Sequence, residues 1–267
     1  MSTQIVIVLI LTFIISIVGT LAYSVRVVGV KTGRIAVAFA IFNVFALISR
    51  TANTIQGPLL AKTIEKSIKA GTSGDLLFAF RWILLSATLA SIAGALLIPT
   101  FIKVFSTAVE KFSIYRSIPK LLFHGFSKAG VEQFKHSISV PKRENISQLK
   151  SLKRIPKKII LLNIIATSIS TVGVVAALYA GCLNPDFRST CSNLAPAING
   201  FATILLFIFI DPFISMMTDD VIKGQVSELE FNRCIIFIVC SLIIGTMAAQ
   251  LLLVPAARII ATIASMI

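Results

Sequence analysis

Residues Ile35 to Pro58 read IAVAFAIFNVFALISRTANTIQGP. The run is apolar enough to cross a membrane, yet it carries Asn43, Arg50, Asn53 and Gln56. A polar group in hydrocarbon is costly, so it turns toward a protein interior or a watery path. At about 3.6 residues per turn, Asn43, Arg50, Asn53 and Gly57 fall on one stripe of a helix. Ile41, Phe42, Val44, Phe45 and Ile48 cover the other side. Two readings compete for the stripe. Either it lines a substrate path, or Arg50 snorkels to the nearer water surface while the amides hold helices together.

The rest of the chain is equally apolar. Its 267 residues are 56% hydrophobic and 13% charged, with a mean hydropathy of +0.93. A soluble domain carries roughly a quarter charged residues. The sequence therefore describes an all-α integral membrane protein with about six transmembrane helices. These fall near 4–25, 35–57, 76–98, 159–181, 197–218 and 234–254, each close to the roughly 20 residues that cross about 30 Å of hydrocarbon. The third can run on to Phe105 and the sixth to Ile267. Residues 1–267 form a single polytopic domain. The first run lacks a basic leader and is too long for a signal-peptide core, so it reads as a retained helix.

A net charge of +14 would suggest nucleic acid in a soluble protein. Here the basic residues concentrate in 103–158, between membrane helices. That pattern excludes nucleic acid and points to topology and to anionic membrane lipids. Segments 26–34, 103–158 and 219–233 hold 18 of the 25 Lys and Arg residues. They are expected in the cytoplasm, with both termini outside. Within the long loop, Phe105, Val109 and Phe112 recur at helical spacing, as do Phe123, Phe126, Phe134 and Ile138. This predicts amphipathic helices lying on the inner leaflet.

The chain also resembles itself at an offset of 154. Ser16, Val18 and Gly19 meet Ser170, Val172 and Gly173; Arg34 meets Arg188; Pro58 meets Pro212; Glu65 meets Asp219. Two halves, 1–105 and 158–267, would each hold three spans and so face opposite ways. Inverted repeats are a transporter signature, with the substrate site at their interface. The prolines near predicted span ends, Pro58, Pro99, Pro212 and Pro255, read most simply as helix terminators. Ser86, Ala90 and Gly94 in the third span, and Gly173, Ala177 and Gly181 in the fourth, predict close helix packing.

Depth sorts the charged candidates. Counted from Ile35, Arg50 lies about 23 Å along its helix, and Arg81 about 8 Å into the next, which starts from the other side. Those positions are level near the outer face, where two guanidinium forks suit a phosphate. Asp211 falls toward the inner face, beyond reach of Arg50, where Arg26 or Arg34 can answer it. The candidate substrate-binding set is thus Arg26, Arg34, Asn43, Arg50, Asn53, Arg81 and Asp211, with Lys31 at the inner mouth.

Signs of catalysis are scarce. His124 and His136 lack ligand partners at metal spacing, and neither an HExxH helix nor a Walker A loop is present. No cofactor is expected. Asp219, Asp220, Glu228 and Glu230 read as solvated carboxylates. Cys182 and Cys191 share a predicted outer loop where a disulfide is chemically permitted. Cys234 and Cys240 read as packing residues.

The stretch LAYSVRVVGVKTGRIAVAFAIFNVFALISRTANTIQGPLLAKTIE, with the following DLLFAFRWILLSATLASIAGALLIPTF, resembles the Amj family of bacterial membrane proteins. The later IDPFISMMTDD and LLLVPAAR resemble it too. The resemblance implies an alternate lipid II flippase in the plasma membrane, able to stand in for the unrelated MurJ. Its partner would be lipid II, moved from the inner to the outer leaflet during peptidoglycan synthesis. It transfers no residue-level site. A homo-oligomer is left open. Two rivals remain. One is an intramembrane enzyme on a polyprenyl phosphate, using Asp211, Asp219 and Asp220 as metal ligands. The other is a regulatory membrane protein that docks through its basic loop.

Overall fold

A backbone in hydrocarbon must satisfy its own hydrogen bonds, and long apolar runs do so as helices. The computed structural model describes residues 3–69, 75–115, 137–139 and 156–267, and they are helical almost throughout. Helices α1 (Thr3–Thr32), α2 (Ile35–Lys69) and α3 (Asp75–Tyr115) make the first half. The second half comprises α4 (Lys157–Leu183), α5 (Arg188–Asn193), α6 (Ala195–Leu205), α7 (Asp211–Ile222) and α8 (Glu228–Met266). A 3-10 turn, Pro185–Phe187, precedes α5, and a π-helical turn, Leu206–Ile210, joins α6 to α7. The six membrane-length units are Thr3–Thr32, Ile35–Ser67, Leu76–Phe112, Lys157–Leu183, Pro185–Ile222 and Glu228–Met266.

All six expected spans are present, but most are longer than the sequence reading drew them. Pro58, Pro99 and Pro255 lie inside α2, α3 and α8 rather than ending them. A membrane helix tolerates proline because neighbouring groups satisfy the freed carbonyl. Only Pro212 marks a break, at the first turn of α7 after the π turn. The extension of α3 also revises the loop. Phe105 and Val109 are 2% and 0% exposed. They pack with Ala38, Ile41 and Phe42, so they are core residues of the bundle and do not lie on a membrane surface. Phe123, Phe126 and Phe134, with His124 and His136, lie outside the described residues.

The two halves pack alike. In the first, α1 runs along both α2 and α3, while α2 and α3 meet little. In the second, α4 runs along both α6 and α8, while α7 and α8 meet little. Small residues permit the closest approaches. A side chain at Gly94 would strike Thr20 of α1 at 2.9 Å, and one at Gly245 would strike Thr167 of α4 at 2.7 Å. Polar side chains reinforce both seams. Ser86 donates to the Leu9 carbonyl (2.9 Å), and Asn163 to the Ile238 carbonyl (3.1 Å) and Ser241 Oγ (2.7 Å). Between the halves, α3 packs against α8, where Gln250 Nε2 donates to the Arg81 carbonyl.

Two ends of the bundle are distinct. Val8, Leu76, Ala180 and Ala264 belong to one apolar cluster, so both termini lie at the same end as the α2–α3 connection. Val27, Val221 and Phe231 belong to another cluster, at the end that holds the α1–α2 and α7–α8 turns. Those two turns are formed through glycines at positive φ, Gly33 (65°) and Gly224 (70°).

Candidate functional site

The buried face of α2 is set by its apolar residues. Ala38, Ile41, Ala52, Leu60 and Ile64 are at most 5% exposed. Phe42 and Phe45 meet Phe101 and Phe105 of α3 edge to face. Gln56, one of the four polar residues of the stretch, turns inward and donates to Thr12 Oγ1 of α1 (3.0 Å). It is a helix-joining amide. Asn43, Arg50 and Asn53 are exposed, and no side chain faces Gly57 within 4 Å. These three are not packed against α1, but Leu47, Ile48 and Ile55 are exposed on α2 as well, so Ile48 does not lie on the covered side as its spacing suggested.

The second half comes near the two ends of the face that bears Asn43 and Arg50. At one end, Phe39 lies one turn before Asn43, and its ring sits 5.6 Å from the Arg26 guanidinium of α1. Arg26 Nη2 donates to Asp211 Oδ1 at 3.2 Å, and Nη1 to Ser215 Oγ at 2.7 Å. Its side chain is 15% exposed and that of Asp211 44%, so the arginine is enclosed while the carboxylate keeps an open edge. At the other end, Ala61, Ile64 and Glu65 continue α2. Glu65 accepts an ion-paired hydrogen bond from Arg188 of α5. Beside that pair lies an open cleft of about 470 Å³, lined by Ala61, Ile64, Leu178, Pro185, Asp186, Arg188, Ser189, Ser192 and Asn193. Phe39, Asn43, Arg50, Ala61 and Glu65 share one face of α2 by helical spacing, and an ion pair to the second half lies near each end of that face. α2 and the α5–α7 arm otherwise scarcely touch.

The sequence-derived candidates divide accordingly. Arg26 and Asp211 are joined, as depth counting from the inner end allowed. Arg34 is exposed at the α1–α2 turn and does not join them. Asn43, Arg50 and Asn53 are exposed on α2. Arg50 and Arg81 do not share a level, and here the structure corrects the sequence reading. Because α2 continues to Lys69, Arg50 lies about 28 Å from the α2 end of the connection to α3, and Arg81 about 9 Å from its α3 end. Neither side chain has a hydrogen-bond or ion-pair partner among the described residues. Cys182 and Cys191 are free thiols, as are Cys234 and Cys240. The expected outer loop is instead a 3-10 turn and a short helix. Glu65, Arg188, Ser215 and Phe39 escaped the site reading. Their only signal was that Glu65 and Arg188 both recur in the 154-residue comparison.

A family model described as Amj, alternate to MurJ, matches residues 11–264. A curated relative, "Lipid II flippase Amj" of Bacillus subtilis (strain 168), is 35% identical over 97% of this chain and 96% of its own length. No solved structure matches. A match from α1 to the last turns of α8 makes the chain a member of the Amj family.

Proposed function

We propose that this protein is a lipid II flippase, carrying the pyrophosphate-linked head group along the Arg50 face of α2 while the polyprenyl tail stays in lipid. The observation that carries this reading is Arg50. It is a cation on a middle turn of a 35-residue membrane helix, exposed and without a side-chain partner among the described residues. A charge at that depth needs water or an anion, and an Arg fork matches phosphate oxygens. The near full-length relative named for lipid II gives the anion its identity.

Arg26 and Arg34 gather the pyrophosphate at the basic end, with Lys31 nearby. Asn43, Arg50 and Asn53 replace head-group hydration along the way. The cleft beside Arg188, lined by Ser189, Ser192 and Asn193, receives the sugar–peptide portion at the far end. The basic end is cytoplasmic and both termini are external, as the Lys and Arg distribution favours. The basic segment 103–158 holds the protein to anionic lipids.

The halves act as an inverted repeat that rocks about that face. Supporting this, α2 starts at Ile35 and α5 at Arg188, within one residue of the 154-residue offset, and α1 and α4 each run along both other arms of their half. Pro58 and Pro212 fall at matching places. Inverted repeats in transporters carry the substrate at their interface.

The test is purified protein in liposomes loaded with lipid II on one leaflet. Lipid II should reach the other leaflet chemically unchanged. A converted lipid product, dependent on a divalent metal, would favour the enzyme reading instead.

A further inference from the structure

Each end of the bundle carries a carboxylate and an arginine that match the other end in the 154-residue comparison. Glu65, near the end of α2, corresponds to Asp219, near the end of α7. Arg188, at the start of α5, corresponds to Arg34, just before α2. In the structure Glu65 and Arg188 are paired across the halves. Arg34 and Asp219 are both exposed, lie at the opposite end, and form no ion pair among the described residues. The Arg26–Asp211 bridge has no such double, because Ala180 and Gly57 occupy the matching positions.

We infer that Arg34 and Asp219 are the second gate of the transport cycle, an ion pair that forms when Glu65 and Arg188 separate. The inference rests on the inverted-repeat reading of the flippase. In such a protein the two halves exchange conformations between the two facing states. The contact that one half makes at one end is then made by its double at the other. Charge complementarity is kept in both pairs, Glu–Arg and Asp–Arg. Each arginine then alternates between two anions. With its end open, Arg34 is free for a pyrophosphate, and closing hands it to Asp219. Arg188 is held by Glu65 in the present state and becomes free for the pyrophosphate when that end opens. Such a handover suits exposed pairs. An exposed ion pair is worth at most about 1 kcal/mol, so either latch is easily released.

The experiment uses the full chain with its four cysteines replaced by serine, in membranes. One variant carries Glu65→Cys with Arg188→Cys, a second carries Arg34→Cys with Asp219→Cys, and a third carries all four. A short bifunctional thiol reagent should link each pair. In the third variant, linking 65 to 188 first should lower the yield between 34 and 219 several-fold. Charge reversal gives an independent readout. Asp219→Arg should slow lipid II transfer about tenfold through like-charge repulsion with Arg34, whereas Asp219→Glu, which keeps the pair, should stay within about twofold of the unchanged protein. Links that form independently of one another, or an Asp219→Glu as slow as Asp219→Arg, would overturn the gate. Mutually exclusive links in a protein that moves no lipid II would uphold the gate and reject the flippase reading, so the two failures are distinguishable.

Discussion

α2 and the α5–α7 arm occupy matching places in the two halves, yet they carry different chemistry. α2 is one continuous helix with Asn43, Arg50 and Asn53 exposed along it. At the 154-residue offset the arm has Ala197, Ile204 and Phe207, also exposed. The arm is broken instead, by the π turn and Pro212, and places Asp211 at the break. On the inverted-repeat reading, a shared scaffold carries polar side chains at these positions on one arm and apolar ones on the other. This suits a cargo with two natures. Lipid II joins an anionic, sugar-bearing head to a long apolar tail, so one wall can strip hydration from the head while the other remains compatible with lipid.

The comparison can be broken most forcefully at its centre. Arg50→Ile gives α2 the residue of the opposite arm. Transfer of lipid II should fall about a hundredfold, the scale of two lost charge-assisted hydrogen bonds, while the amount of inserted protein is unchanged. Cells that depend on this protein for lipid II transfer should then fail to grow. The converse, Ile204→Arg, should lower the amount of inserted protein, because a cation on a lipid-facing mid-span position costs about 2.5–3.5 kcal/mol on the insertion scale. Quantitative blotting of membrane fractions reads both variants together.

Arg26 and Asp211 come next. Arg26→Ala or Asp211→Ala should each slow transfer about tenfold by leaving an unpaired charge in the span. The double variant should be less impaired than the sum of the two singles, which a double-mutant cycle on transfer rates would resolve. At the packed seams the halves should behave alike. Gly94→Leu and Gly245→Leu each drive a side chain into a threonine and should each destabilise the bundle by about 1–3 kcal/mol, read as loss of thermal stability in detergent. The smallest effect is expected at Arg81. It lies on α3, close to the end of the bundle, so Arg81→Ala should change transfer less than about twofold.

Much of this architecture was legible in the sequence, for physical reasons. Long apolar runs can only be helices in a membrane, so six spans were readable without a structure. Counting rise per residue left Asp211 to Arg26 or Arg34, and the structure pairs it with Arg26. Ends were harder. Gly57-Pro58 and the charges of Lys62, Glu65 and Lys66 look like the end of a span, but α2 continues through them to Lys69. That error raised Arg50 to the level of Arg81. Phe105 and Val109 have the spacing of a surface helix and the burial of a core, because amphipathic periodicity does not say what covers the apolar face. Glu65 and Arg188 meet across 123 residues, a distance no local pattern encodes. Only the repeat held a trace of it.

On the flippase reading, the α2 stripe lines a watery path for the head group while the matching face of the second arm meets lipid. Single cysteines placed in the cysteine-free chain at 43, 50 and 53, and at 197, 204 and 207, test it directly with a membrane-impermeant thiol reagent. The account predicts labelling at Asn43→Cys, Arg50→Cys and Asn53→Cys. That labelling should be reduced by lipid II at Asn43→Cys and Asn53→Cys, with none at Ala197→Cys, Ile204→Cys or Phe207→Cys. Equal labelling of the two arms, or none on α2, would contradict it.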